Sequence, residues 1–141
     1  VYLDTCYLAK FYFNEPDSLE VRKLVQAADA IHSSQWASAE LHAMIHRRLR
    51  EGVLSRVEAR DIASRFAEHV EARLWNLLPV TETLLKATSA LLLSAPRELF
   101  LRTADAVHLT TALHNGEREF WTSDRHMLAA ASHFGLVGRS V

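Results

Sequence analysis

Short β-prone runs alternate with longer helical stretches along this chain, and that alternation limits its fold more than any other feature. Val1-Tyr2-Leu3 meets Asp4, after which Thr5 opens an apolar helical stretch through Leu8, Phe11 and Tyr12. Asn14-Glu15-Pro16 breaks it, and Asp17-Ser18-Leu19-Glu20 has the form of a capping box for a helix with Leu19, Val21, Leu24, Val25 and Ala28 on its apolar face. Ala30-Ile31-His32-Ser33 is the next candidate strand. A helix follows from about Gln35 to Glu51, stopped by Gly52, and Ser55-Arg56-Val57-Glu58 caps another running to about Ala72, so the two are expected to pair as a hairpin. Leu74-Trp75-Asn76-Leu77-Leu78 fits a buried strand, a helix from Thr81 ends before Pro96, and another spans Arg102 to Asn115 with Gly116 at its end. Phe120-Trp121-Thr122 is a further strand, and a last helix from near Asp124 ends before Gly135, leaving Leu136-Val137 as an edge strand. Strands separated by helices need crossover connections, which align them in parallel and place helices on both sheet faces. The expected fold is therefore α/β: a three-layer α/β/α domain with a short, mainly parallel sheet.

At 141 residues, 1–141 is expected to form a single domain. A composition 49% hydrophobic and 23% charged, with 4 Gly and 3 Pro, excludes disordered, collagen-like and low-complexity classes. The most apolar run, Ala90-Leu91-Leu92-Leu93, is bounded by Ser89 and Ser94, so no membrane span is expected. Val1-Tyr2-Leu3-Asp4 lacks a signal peptide's basic flank and cleavage site, and the single Cys6 cannot form an internal disulfide, which makes the cytoplasm the expected compartment. No initiator Met is present, so at least one preceding residue is expected. Sixteen Lys and Arg against seventeen Asp and Glu give a net charge of -1, so any nucleic-acid contact must be local. Arg47, Arg48 and Arg50, in His46-Arg47-Arg48-Leu49-Arg50, together with Arg125, are the candidate phosphate contacts, although for the cluster the sequence alone favours a solvated helix face.

Two predicted strands run into aspartates, Asp4 and Asp124, and ligands of open α/β sheets bind at the carboxyl ends of strands. Helix capping explains either residue alone. Glu40 and Asp105 lie inside predicted helices, where a capping role is not expected. Three and four residues from Glu40 stand Trp36, Ala37, Ala43 and Met44, an apolar set that should turn its carboxylate toward a buried face. Asp105 has Leu101, Arg102, His108 and Leu109 at the same spacings, with Arg102 or His108 available as structural partners. If these four carboxylates converge, charges ~4 Å apart at an effective dielectric of about 20 repel by roughly 4 kcal/mol per pair, which protonation or a cation must relieve. All-oxygen donors suit Mg²⁺ or Mn²⁺, and the indicated chemistry is metal-assisted phosphodiester hydrolysis.

Asp4-Thr5-Cys6-Tyr7-Leu8, Ala39-Glu40, Arg102-Thr103-Ala104-Asp105-Ala106-Val107-His108-Leu109 and Thr122-Ser123-Asp124-Arg125-His126-Met127-Leu128 resemble, in order and spacing, the acidic motifs of the PIN-domain family, particularly its VapC-like toxins. Ala131 and Gly135-Leu136 extend the likeness into the tail. The resemblance implies an endoribonuclease with an α/β/α fold, a Mg²⁺ or Mn²⁺ requirement, a cognate antitoxin protein that blocks the site, and a homodimer. It also implies that Asp4 and Asp105 are the principal metal-binding acids, that Glu40 and Asp124 complete the pocket directly or through water, and that Thr5 and Thr122 are supporting hydroxyls. Cys6 stands where the family more often has Ser and, following the strand, is expected to pack inward.

Other sites are poorly supported. His42 and His46 have zinc-protease spacing, but Ala43 stands where that motif needs Glu. His108 is expected to serve Asp105's helix as a packing and hydrogen-bonding partner, and Trp36, Trp75 and Trp121 to lie in the core. GxSxG, P-loop and GxGxxG motifs are absent. The competing readings are a non-catalytic RNA- or partner-binding module, and hydrolysis of another phosphate ester by the same metal site.

Overall fold

The computed structural model describes residues 1–141. In chain order it contains β1 (Tyr2–Leu3), α1 (Thr5–Tyr12), α2 (Ser18–Ala27), β2 (His32–Ser34), α3 (Trp36–Arg50), α4 (Arg56–Glu71), β3 (Asn76–Leu78), α5 (Glu82–Ser94), α6 (Thr103–His114), β4 (Glu119–Trp121), α7 (Arg125–His133) and β5 (Val137–Arg139). The strands form one five-stranded sheet in the order β3-β2-β1-β4-β5. Every pairing is parallel, with Tyr2 opposite both His32 and Phe120, and Leu3 opposite Trp121. The α/β/α expectation holds.

Alternation of side chains along β1 divides the core. Leu3 joins a cluster with residues of α1 to α4, among them Leu8, Val21, Leu41 and Phe66, and with Trp75 just before β3, while Tyr2 faces the other way into a cluster with Leu91, Leu109, Phe120, Met127 and Leu136. β1 is thus covered on both sides, as its wholly apolar, fully buried pair requires. The chain moves outward from β1 through β2 to β3, then crosses to the other side of β1 for β4 and β5. This reversal makes a crevice outside the carboxyl ends of β1 and β4.

Local chemistry explains most element ends. Ser55 caps α4 by accepting from Glu58 N–H while Glu58 reaches back to Ser55 N–H, so that expected capping box forms. The one expected at Asp17 does not. Asp17 takes a left-handed conformation at φ 66°, makes no capping bond, and turns its carboxylate to Lys10 at 3.4 Å. Ser18 Oγ closes the turn instead, accepting from Glu15 N–H and donating to Phe13 C=O. Leu19 lies off the Val21/Val25 face and is 58% exposed, contrary to its expected place in the core. Trp75 is buried as expected, its indole N–H donating to the Tyr12 hydroxyl at 2.6 Å, but Trp36 is exposed and Trp121 half-buried. No helix is long and apolar enough to cross a membrane, as the sequence predicts.

Leu41, fully buried on α3 within the first core cluster, directly follows Glu40. Leu41→Ala is expected to cost about 3 kcal/mol of stability, read as a lower urea midpoint at unchanged m-value.

Candidate active site

Asp4 stands where β1 ends, in the crevice between β1 and β4. Its backbone N–H continues the sheet by donating to Trp121 C=O, and its Oδ1 caps α1 by accepting from Tyr7 N–H at 3.0 Å. Only 5% of the residue is exposed. Burial pushes its carboxyl above the ordinary value; the nearby Thr122 hydroxyl, the His108 ring and the Tyr7 N–H offset part of this rise, while Glu40 adds to it. A buried carboxylate with these few partners is a site where a cation is favoured.

Glu40 comes from the second turn of α3, on the neighbouring strand's crossover. The core face of that helix is Ala37, Leu41 and Ile45, with Trp36 and Ala43 exposed, so Glu40 lies at the border of the buried face and not within it. It is half-buried, with Thr5 Oγ1 donating to its Oε2 and His108 Nε2 at 2.9 Å from the same oxygen. Burial favours its neutral form, but bonds from His108 and Thr5, with the His108 charge, outweigh that and hold the carboxyl below the ordinary value.

Asp105 occupies the first turn of α6, whose N-terminus opens on the same edge. Its Oδ2 accepts from Arg102 N–H at 2.9 Å, so a capping role is available to it after all. α6 begins at Thr103, one residue later than the predicted start, and that shift brings Asp105 into the capping turn. Asp4, Thr5, Cys6, Glu40, Asp105, His108 and Met127 line one small open cavity of about 50 Å³. Asp124 does not line it. It stands at the start of α7, where Oδ1 caps the helix by accepting from His126 N–H at 2.7 Å, while buried Thr122 accepts from Asp124 N–H.

Cys6 is exposed at this cavity, correcting the expected inward packing: the first turn of α1 turns Tyr7 and Leu8 inward and leaves position 6 outside. Its thiol is pushed up to about 12, first by the Asp4 charge and then by burial, Glu40 and Asp124, so it stays protonated. His108 is also placed differently from expectation. It bonds across the layers to Tyr2, Thr5 and Glu40, and none of these bonds reaches Asp105. Lys10, which the sequence gave no reason to single out, is buried one turn beyond Cys6 and donates to Ser123 Oγ at 2.7 Å, tying α1 to the loop that carries Asp124.

The expected basic patch does not border the cavity. Glu40 lies near the start of α3, whereas Arg47, Arg48 and Arg50 occupy its last turn, about 10 to 15 Å further along the axis and away from the acid edge. Arg48 is bound to Glu15 and stacks over Phe13 at 4.2 Å. Arg125, exposed at the start of α7 beside Asp124, is the candidate arginine on the acid edge.

A PIN domain family model matches residues 1–132. The chain belongs to the PIN domain family. Solved structures share this PIN fold. Mycobacterium tuberculosis VapC20, described as a toxin cleaving the sarcin-ricin loop, is similar at TM-score 0.73 and 16% identity, over 92% of this chain and 93% of that one. FitAcB from Neisseria gonorrhoeae is similar at 0.76 and 17%, over 97% and 94%. FitAB bound to an IR36 DNA fragment is similar at 0.69 and 15%, over 99% and 93%. At these identities the likeness is one of fold. No curated protein sequence matches the chain significantly.

No group of three or more His, Cys, Asp or Glu side chains is arranged to hold a metal ion as it stands. The donor chemistry of this PIN domain nevertheless suits a hard divalent ion, since Asp4, Glu40 and Asp105 offer carboxylates to one cavity and no basic side chain other than His108 lines it. Glu40 Oε1 and Asp105 Oδ1 remain free of protein hydrogen bonds.

The two central carboxylates have opposite effects on stability. Asp4 binds its proton more tightly in the folded state, so its contribution is fully present below 3.8 and is lost as pH rises through the folded value. Glu40, lowered from 4.5, contributes stability above that value and loses it as pH falls through the folded value. In chelator at pH 7, Asp4→Asn is therefore expected to raise the urea midpoint and Glu40→Gln to lower it, with the Asp4→Asn gain shrinking toward pH 4. Destabilisation by both at pH 7 would show that Asp4 is not a strained charge.

Proposed function

We propose that this PIN domain, acting as one unit over residues 1–141, is a Mg²⁺- or Mn²⁺-dependent endoribonuclease that hydrolyses phosphodiester bonds in single-stranded or looped RNA. Its proposed setting is the cytoplasm, as the toxin of a VapBC-type pair, homodimeric and held inactive by a cognate antitoxin protein. The observation that carries this reading is the meeting of Asp4, Glu40 and Asp105 around one cavity at the carboxyl edge of a PIN-family sheet. The description of VapC20 as a loop-cleaving toxin supports it.

In this mechanism Asp4 and Asp105 would hold the ion, and Glu40 and Asp124 would complete the pocket directly or through water. The chemistry such an ion would supply there is polarisation of a phosphoryl oxygen, activation of the attacking water and stabilisation of the leaving oxygen. Thr5 holds Glu40 Oε2 through its hydroxyl, and Thr122 accepts from the Asp124 backbone N–H. Arg125, beside Asp124, meets the RNA backbone next to the cut. Arg47, Arg48 and Arg50 would meet RNA only where it runs along the far end of α3, and Arg48 would first have to leave Glu15. The second reading, a non-catalytic RNA- or partner-binding module, is favoured by one observation: the Asp105 carboxylate is already engaged by its own helix.

Cleavage of labelled single-stranded and hairpin RNAs by purified, antitoxin-free protein separates the two. The nuclease reading expects cutting with Mg²⁺ or Mn²⁺, none with chelator, and a loss of about 100-fold or more in Asp4→Asn and Asp105→Asn, the scale of removing one group that stabilises transition-state charge. RNA binding without cutting under every metal condition would favour the binding module.

A further inference from the structure

All protein contacts of the Glu40 carboxylate fall on one oxygen. Thr5 Oγ1 donates to Oε2 and His108 Nε2 lies 2.9 Å from the same atom, while Oε1 has no protein partner. An ionised carboxylate only accepts, so Nε2 carries a proton. Nε2 also lies 3.0 Å from Thr5 Oγ1, and on the far side of the ring the Tyr2 hydroxyl stands 2.8 Å from Nδ1. A continuous chain results: the Tyr2 hydroxyl at His108 Nδ1, and His108 Nε2–H to Glu40 Oε2.

Each member is held from behind. Tyr2 is fully buried, with its ring stacked on Phe120 at 5.2 Å, and His108, 3% exposed, stands edge-on to Tyr2 at 5.9 Å. The chain joins β1, α6 and α3, and Thr5 of α1 meets it at Glu40 Oε2 and His108 Nε2. A leucine of similar volume would fill this space without removing two ring nitrogens from water, so what the imidazole adds is direction.

The geometry points to His108, locked by Tyr2, as the positioning residue of the acid pocket: it pins Glu40 Oε2 and leaves Oε1 as the oxygen offered to the cavity shared with Asp4 and Asp105. His108 itself is assigned no contact with ion or substrate. The inference rests on the proposal that these acids hold a divalent ion, and it deepens that proposal by naming what sets the orientation of one of them. Second-layer partners of metal ligands commonly change metal affinity or activity 10- to 100-fold when removed.

The test is calorimetric titration of Mn²⁺ into the full chain and its His108→Leu, His108→Gln and Tyr2→Phe variants, with kcat and KM for RNA cleavage measured alongside. Folding of each is checked by near-UV circular dichroism and melting. His108→Leu is expected to lose about 10-fold or more in Mn²⁺ affinity and to lower kcat with KM for RNA unchanged. His108→Gln, whose amide N–H reaches about where Nε2 lies, is expected to recover most of both. Tyr2→Phe removes only the hydroxyl and should show a smaller loss in the same direction, which keeps the inference testable if His108→Leu does not fold. Wild-type Mn²⁺ affinity in a folded His108→Leu or Tyr2→Phe protein overturns the positioning role. A wild-type chain that binds no Mn²⁺ overturns instead the metal-site proposal beneath it.

Discussion

A carboxylate buried at the end of the central strand is the constraint around which the acid edge of this protein is organised. Asp4 follows a fully buried pair, Tyr2 and Leu3, and is itself only 5% exposed, opening on the small cavity it helps to line. Its position must therefore be supported locally, by the first turn of α1 and by Thr122 at the end of the adjacent strand. That support is incomplete, because burial still pushes its carboxyl upward. Ionising Asp4 is thus disfavoured by its burial, a cost that a cation beside it would relieve.

The surroundings of Glu40 show the opposite balance. Hydroxyl and imidazole donors satisfy one of its oxygens well enough to hold the carboxyl down despite burial. Two acids lining one cavity are thereby set apart, one strained in its charged form and one stabilised in it. Asp105 and Asp124 have a third environment, each spending one oxygen on the N-terminal turn of a helix. Capping and ligand binding are compatible, since a carboxylate has two oxygens and a helix N-terminus requires only one of them.

Parallel topology brings these residues together. Every strand points the same way, so the residues following β1, β2 and β4 all emerge on one edge, as does the start of α6 that leads back into β4. The same rule sends the last turn of α3 away from that edge. A basic cluster only seven to ten residues after Glu40 is consequently remote from the acids, and Arg48 is occupied by Glu15 and Phe13. Closeness in sequence along a helix separates side chains by its rise, whereas strands far apart in sequence are adjacent in the sheet.

The sequence by itself determined the alternation of strands and helices, the α/β/α class, the Ser55 capping box and the placing of Asp4 and Asp124 at strand ends. These depend on local periodicity and turn chemistry, which short windows of residues record. It could not determine the burial of particular faces, because that depends on which helices become neighbours: Leu19 and Trp36 are apolar yet exposed, and Lys10 is charged yet buried. Nor could it show that Asp105 caps its own helix, since one residue's shift in the helix start decides that. The Tyr2, His108 and Glu40 chain was equally hidden. Its members stand at positions 2, 108 and 40, and only the crossover that places α6 and α3 beside the end of β1 makes them partners. Tertiary structure therefore decided which polar groups satisfy one another, because a hydrogen bond depends on position to within tenths of an ångström, which no local pattern encodes.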